Sequence, residues 1–251
     1  MSVELKMERW RYPRFFTENI SDDTAVVSGE DAEHIGRVLR MRAGDIAVLC
    51  DGHRRDYLGR LQELTKETCV FEILESSENL AEPSIHLRLF QAMPKGDKLE
   101  FIIQKAVECG ASEIVPFFSK RCVSRPDERQ LSKKLPRYRK IALEAAKQCG
   151  RGIIPQVGET VNFSDLKALF SPENTGILFY ECCNTPLTQA VPKIGKYVDV
   201  VIGSEGGFEP AEAEELQALG FAAASLGKRI LRCETAPVAA ISVLMNLTGN
   251  M

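Results

Sequence analysis

Residues 75–84, ESSENLAEPS, form a polar, acidic stretch that ends in Pro-Ser and reads as a linker, and the apolar rhythm of the chain differs on its two sides. Before it, strand-length runs at 25–27, 45–50, 57–61 and 69–74 are separated by turn signals such as Ala43-Gly44-Asp45 and Asp51-Gly52. One helix-like stretch, 31–41, sits among them. The pattern predicts a small β-rich barrel over residues 1–78. Beyond the stretch, strands alternate with helices. Strands are expected at 85–92, 113–118, 175–180, 198–203 and 222–227. Helices are expected at 97–109, 136–149, 210–219 and 237–247. Pro136 reads as the first turn of its helix and Gly150 as its end. This alternation predicts an α/β domain, 84–251, built on a mostly parallel sheet.

Composition narrows the class further. Of 251 residues, 44% are hydrophobic and 27% charged, which excludes disorder, and no heptad pattern persists. No apolar run approaches the roughly 18 residues of a membrane helix, so no membrane partner is expected. The start, MSVELKMERWRYPRFF, has no apolar h-region, so a cytoplasmic protein is expected. Its eight cysteines include no C-x-x-C pair, and there are only three histidines, so no metal site is expected. Free thiols in a reducing compartment fit, with Cys182-Cys183 as a lone redox candidate.

The net charge of −3 does not advertise a polyanion binder, but its distribution is uneven. Eleven Lys and Arg against three acids lie between residues 120 and 151, whereas 203–224 holds five Glu and no base. Nine of the eleven cations in residues 1–78 are arginine, the side chain suited to bidentate phosphate contact.

Two segments carry the chemistry. VVIGSEGGFEP, 200–210, and SLGKRILRCETAP, 225–237, each run from a buried strand into a helix, where open α/β sheets bind ligands. The glycines at 203, 206 and 207 permit close approach of backbone to a ligand. Familiar fingerprints fail here. The first loop is G-x-x-G-G and not G-x-G-x-x-G, Lys228 lacks the glycine of a phosphate loop, and Ile202 stands where a nucleophile elbow needs glycine.

The string IGSEGGF, followed about 18 residues later by LGKRILRCETAPVAAIS, resembles the SPOUT-class RNA methyltransferases, and most closely the RsmE family. HIGRVLRMRAGD (34–45), KGDKLEFIIQKAVECGASEIVPFFSKRC (95–122) and EAAKQCGRGIIPQV (144–157) match as well. The resemblance implies a PUA-like, RNA-binding N-terminal domain and a SPOUT domain tied in a C-terminal trefoil knot. It also implies S-adenosylmethionine as methyl donor, N3 of a uridine in bacterial 16S rRNA within the small ribosomal subunit as target, and a homodimer through the knotted domain. Carried over, the cofactor contacts are Tyr180, Glu181, Gly203, Glu205, Gly206, Gly207, Leu226, Gly227, Ile230, Leu231, Arg232, Glu234 and Thr235. Ser204 and Cys233 depart from the family, which commonly has proline and threonine there.

Methylating an imide nitrogen requires loss of its proton and stabilisation of charge on the flanking carbonyls. Arg232 is the expected cation, with Glu205 and Glu234 as expected carboxylates. Arg9, Arg11, Arg14, Arg37, Arg40, Arg42, Lys95, Lys98, Arg121 and Arg151 form the expected phosphate track. Competing readings are a SPOUT enzyme acting on tRNA or a ribose 2′-oxygen, and a non-catalytic RNA-binding ribosome-assembly protein.

Overall fold

The computed structural model describes residues 11–251, so Arg9 lies outside the described residues. Two compact units divide the chain. One comprises the described residues up to Glu82 together with Ala146–Ile154, and the other comprises Pro83–Ala145 and Pro155–Met251.

The first unit is a five-stranded sheet in the order β1-β3-β4-β5-β2. Its strands are β1 (Arg14–Phe16), β2 (Thr24–Ser28), β3 (Ile46–Cys50), β4 (Arg55–Leu64) and β5 (Thr68–Glu78). Pairing is antiparallel except for β1 beside β3. Register shifts at Leu58/Gly59 and Leu61/Glu63 bend the long β4–β5 ribbon. The expected barrel is a curled, half-closed sheet: β1 and β2 end the ladder, and the chain just after β1 reaches β2 through the Ile20–Ala25 bridge and the Val26 N–H donating to the Asn19 carbonyl (2.9 Å). Phe15, Ala25, Val27, Leu49, Leu61 and Phe71 bury one face of it. Helix α1 (Glu30–Glu33) adds Ala32 and runs on into a π-helical turn, His34–Val38, that adds Ile35.

The acidic stretch that reads as a linker is ordered into this unit. β5 continues to Glu78, and buried Asn79 donates from Nδ2 to Asp56 (3.0 Å) and to the Gly150 carbonyl (2.9 Å). Glu82 pairs with Arg151 at 2.7 Å, both side chains being 4% exposed, and accepts the N–H groups of Gly152 (2.9 Å) and Ile153 (3.0 Å). Lys147 reaches Asp31 at 2.7 Å. Polar residues here satisfy one another inside the protein.

The second unit is a parallel sheet in the order β12-β10-β11-β6-β7-β8, with β9 also beside β7. The strands are β6 (His86–Ala92), β7 (Glu113–Phe118), β8 (Gln156–Val157), β9 (Val161–Asn162), β10 (Thr175–Phe179), β11 (Tyr197–Ile202) and β12 (Ala222–Ala224). The helices are α2 (Lys98–Glu108), α3 (Glu128–Cys149, which from Ala146 on belongs to the first unit), α4 (Phe163–Leu169), α5 (Leu187–Ala190), α6 (Pro210–Ala218) and α7 (Thr235–Leu247). Near-continuous apolar strands such as TGILF suit a sheet covered on both faces. α2 packs Leu99, Ile102, Ile103, Ala106 and Val107 inward, at helical spacing. The one carboxylate within β11, Asp199, is matched by Arg88 (2.8 Å) and Asn174 (2.9 Å).

α3 begins eight residues before Pro136, which lies inside the helix. Its true start is a reciprocal cap. The Asp127 side chain accepts the Gln130 N–H at 2.8 Å while the Gln130 side chain accepts that of Asp127 at 3.2 Å. All eight cysteines are free, and no helix of the described residues is long and apolar enough to cross a membrane.

Replacing Glu82 with Ala removes the carboxylate that a buried guanidinium and two backbone N–H groups share. The expected loss is about 3–5 kcal/mol of folding stability, read by urea denaturation. A change below about 1 kcal/mol would show the pair to be dispensable.

Candidate active site

Strands β10, β11 and β12 run parallel, with Phe179 opposite Ile202 on one side and Ala224 on the other. Their C-terminal ends are therefore level, and the segments 180–186, 203–209 and 225–234 emerge side by side. They enclose a cavity of about 510 Å³, a volume typical of small-molecule sites.

The glycine turn builds one wall with backbone. Gly207 donates its N–H to the Ser204 carbonyl at 3.0 Å and holds φ at +64°. A side chain there would overlap the Glu181 carboxylate, so glycine is required on both counts. Gly206 lies against Arg121, whose guanidinium donates to the Gly206 carbonyl (3.2 Å) and to Glu209 (3.1 Å). Behind the turn, buried Glu212 accepts the N–H groups of Glu209 (3.0 Å) and Lys120 (2.8 Å), which fixes the start of α6. The opposite wall comes from the second loop, whose Arg232 carbonyl accepts the first N–H groups of α7 from Thr235 and Ala236 (both 2.9 Å).

Among the expected cofactor contacts, Tyr180, Glu181, Gly203, Glu205, Gly206, Gly207, Leu226, Gly227, Ile230, Leu231 and Arg232 line this one cavity. Glu234 and Thr235 are not in its lining; they form the cap and first residue of α7. Phe179, Ile202, Ser204, Ser225, Arg229, Cys233 and Ala236 line it without having been expected. The strand-end positions of Phe179 and Ile202 were the available signal for those two. Ser204 is buried, and its hydroxyl has no hydrogen-bond partner among the described residues.

Charge at the loop junction is organised by Lys98. Its ammonium lies 2.9 Å from Glu205 Oε1, 3.2 Å from Glu234 Oε2 and 3.8 Å from Cys233 Sγ. Glu205 also accepts the Lys95 N–H at 3.2 Å. Burial alone would raise the Glu205 carboxyl, but hydrogen bonds from Lys98 and from backbone N–H groups outweigh it and bring the value down to about 2. Burial, reinforced by Glu234, pushes the Cys233 thiol up to about 12. A hydrogen bond from Cys233, then the backbone and Lys98, hold Glu234 below the usual carboxylate range. Both expected catalytic carboxylates are therefore ionised and engaged.

The expected phosphate track separates into two kinds of residue. Arg11, Arg37, Arg40, Arg42 and Lys95 are exposed, Arg37 pairing with Glu33 one helical turn away. Arg14 and Arg151 are corrected. Arg14 grips Asp56 through two 2.7 Å hydrogen bonds with its side chain 10% exposed, and Arg151 is buried against Glu82. Neither presents a free guanidinium to a phosphate. Lys98 and Arg121 are likewise committed to carboxylates beside the cavity. Among the described residues no group of three His, Cys, Asp or Glu could hold a metal ion.

Comparison with known proteins bears on this site. The RNA methyltransferase domain model matches residues 81–245, and the RNA methyltransferase PUA domain model matches 27–74. The chain is 34% identical to Ribosomal RNA small subunit methyltransferase E of Bacillus subtilis, over 88% of this chain and 89% of that one. It is 30% identical to the protein of that name from Buchnera aphidicola, over 100% and 99%. A crystal structure of Ribosomal RNA small subunit methyltransferase E from Neisseria gonorrhoeae, bound to S-adenosyl methionine, superposes with a TM-score of 0.86 at 30% identity, covering 94% of this chain and 98% of that one.

Proposed function

The chain belongs to the ribosomal RNA small subunit methyltransferase E family, and we propose that it methylates N3 of a uridine in 16S rRNA with S-adenosylmethionine as donor. SAM-dependent methylation of small-subunit rRNA follows from the family; the N3 position is the finer part of the proposal. The observation that carries it is that two loops about 20 residues apart in sequence, 203–207 and 226–232, wall one cavity of nucleoside size.

The residues present suit that donor. The turn at Gly206 and Gly207 offers bare backbone where a side chain would collide, and Leu226, Ile230 and Leu231 supply apolar surface for a purine. When bound, S-adenosylmethionine supplies an electrophilic methyl group. Arg232, exposed at the cavity, is the cation placed to offset negative charge on the uridine carbonyls as the imide proton leaves. Glu205 and Glu234 are held by Lys98, and a carboxylate that titrates at about 2 is a poor acceptor for an imide proton. Their part is to hold the loops. Exposed Arg11, Arg37, Arg40, Arg42 and Lys95 contact backbone phosphates, which position the RNA without reading its sequence.

The reading brings with it a trefoil knot through the C-terminal loops, a homodimer formed by the knotted domain and action in the cytoplasm on the small subunit. A single-chain mass in sedimentation equilibrium would remove the dimer.

Incubating the enzyme with labelled donor and small subunits that lack the modification is expected to yield 3-methyluridine, identified by mass spectrometry of the nucleosides. A 2′-O-methyl product, or label appearing only in tRNA, would overturn the assignment. Arg232→Ala should lower kcat by about 100-fold or more with an unchanged melting temperature. Arg40→Ala should weaken RNA binding and reduce the slope of log K against log salt by about 1. An unchanged slope would take Arg40 off the phosphate surface.

A further inference from the structure

We propose that Lys98 is a positioning residue that fastens the two cofactor loops together and so sets the width of the cavity between them. The inference rests on the reading of the cavity as the donor site, and it assigns Lys98 a part other than the phosphate contact expected from sequence.

Lys98 lines neither loop. It is the first residue of α2, reached from β6 through Pro94, Lys95 and Gly96. From there its ammonium meets Glu205 of the glycine turn at 2.9 Å and Glu234, at the start of α7, at 3.2 Å, with Cys233 Sγ at 3.8 Å. An ammonium has three N–H donors, and three acceptors surround this one. Nothing is left over for a phosphate. The Lys95 N–H adds a backbone hydrogen bond to Glu205, so the β6–α2 connection holds the glycine turn at two points. Two loops that leave different strands thus share one cation supplied by a third segment.

Electrostatics gives the arrangement its direction. Glu205 and Glu234 each lie within 3.2 Å of the same ammonium, so they lie close to one another, and without the lysine two carboxylates would face each other across the junction. Like charges so placed repel, and the junction would open. The groups facing Lys98 are Glu205, Glu234 and the Cys233 thiol, joined at Glu205 by the Lys95 N–H. Cys233 stays neutral well above physiological pH, so the two carboxylates alone govern the pH response of the junction.

The test measures affinity, not turnover. Calorimetric Kd values for S-adenosylhomocysteine would be taken between pH 5 and pH 8 for the wild-type protein, K98Q and K98R. Wild-type affinity should be flat across that range, because its carboxylates remain ionised and paired throughout. K98Q should bind about tenfold more weakly at pH 8, a modest loss because the side chains are partly exposed. Its affinity should recover toward pH 5, since two unpaired carboxylates sharing a site raise one another's pKa and the first proton relieves the repulsion. K98R, which keeps the charge, should stay within about threefold of wild type. Should K98Q fail to fold, the double variant K98Q/E205Q removes the repulsion and carries the comparison at pH 8 against E205Q alone. K98Q affinity equal to wild type, or a loss that does not change with pH, overturns the proposal. Failure of the wild-type protein to bind S-adenosylhomocysteine at any pH would instead sink the reading of the cavity itself.

Discussion

In a parallel ladder every strand delivers its C-terminal end to the same edge, and that constraint decides where this protein can do chemistry. The register of β10 between β11 and β12 places Phe179, Ile202 and Ala224 at one level. Chain leaving three adjacent strands there has nowhere to go but into a shared space. The glycine turn and the second loop are about 20 residues apart in sequence, and α6 and β12 occupy the interval. They meet because the sheet aligns their origins, and the volume between them follows from the ladder before any side chain is chosen.

Side chains then decide whether such a space stays open and what its charge is. Buried carboxylates of the second unit are each matched by more than one donor. Glu212 takes two backbone N–H groups at the start of α6, and Asp199 takes Arg88 and Asn174 within the sheet. The pattern repeats in the first unit, where Asp56 receives Arg14 and Asn79. An unmatched buried charge costs several kcal/mol, so these pairings are conditions of folding more than additions to its stability. Ser204 breaks the rule, since among the described residues its buried hydroxyl beside the cavity has no partner.

How much of this was legible in the sequence depended on how local the cause is. Alternation of apolar runs marked β6, β7, β10 and β11 within a residue or two, because a covered parallel strand must be apolar throughout. The glycine turn was legible as well, since Gly207 answers a backbone requirement that no other residue meets without strain. The start of α3 was also written locally, in the Asp127–Gln130 cap, but Pro136 offered a competing start signal that prevailed. Strands of two residues such as β8 and β9 are too short to carry a period. The joining of Ala146–Ile154 to the first unit rests on Arg151, Gly150 and Gly152 meeting Glu82, Asn79 and Arg54 across some 70 residues and more. No window of sequence contains both halves of such a contact.

Charge shows the same limit more sharply. A run of Lys and Arg reports that cations are present and says nothing about which of them face water. Arg14 and Arg40 both sit in arginine-rich stretches, yet one is clamped on a buried carboxylate and the other projects from a left-handed turn at φ +54°. What separates them is the partner, Asp56, and it reaches Arg14 only through the pairing of β1 with β3 and of β3 with β4. Lys98 carries the point further. Its charge is spent entirely on two acidic loops, so a cation counted toward an RNA surface belongs to the interior economy of the cavity. Charge counted along a chain bounds the polyanion-binding surface from above, and the fold subtracts from it every cation that an internal carboxylate has already claimed.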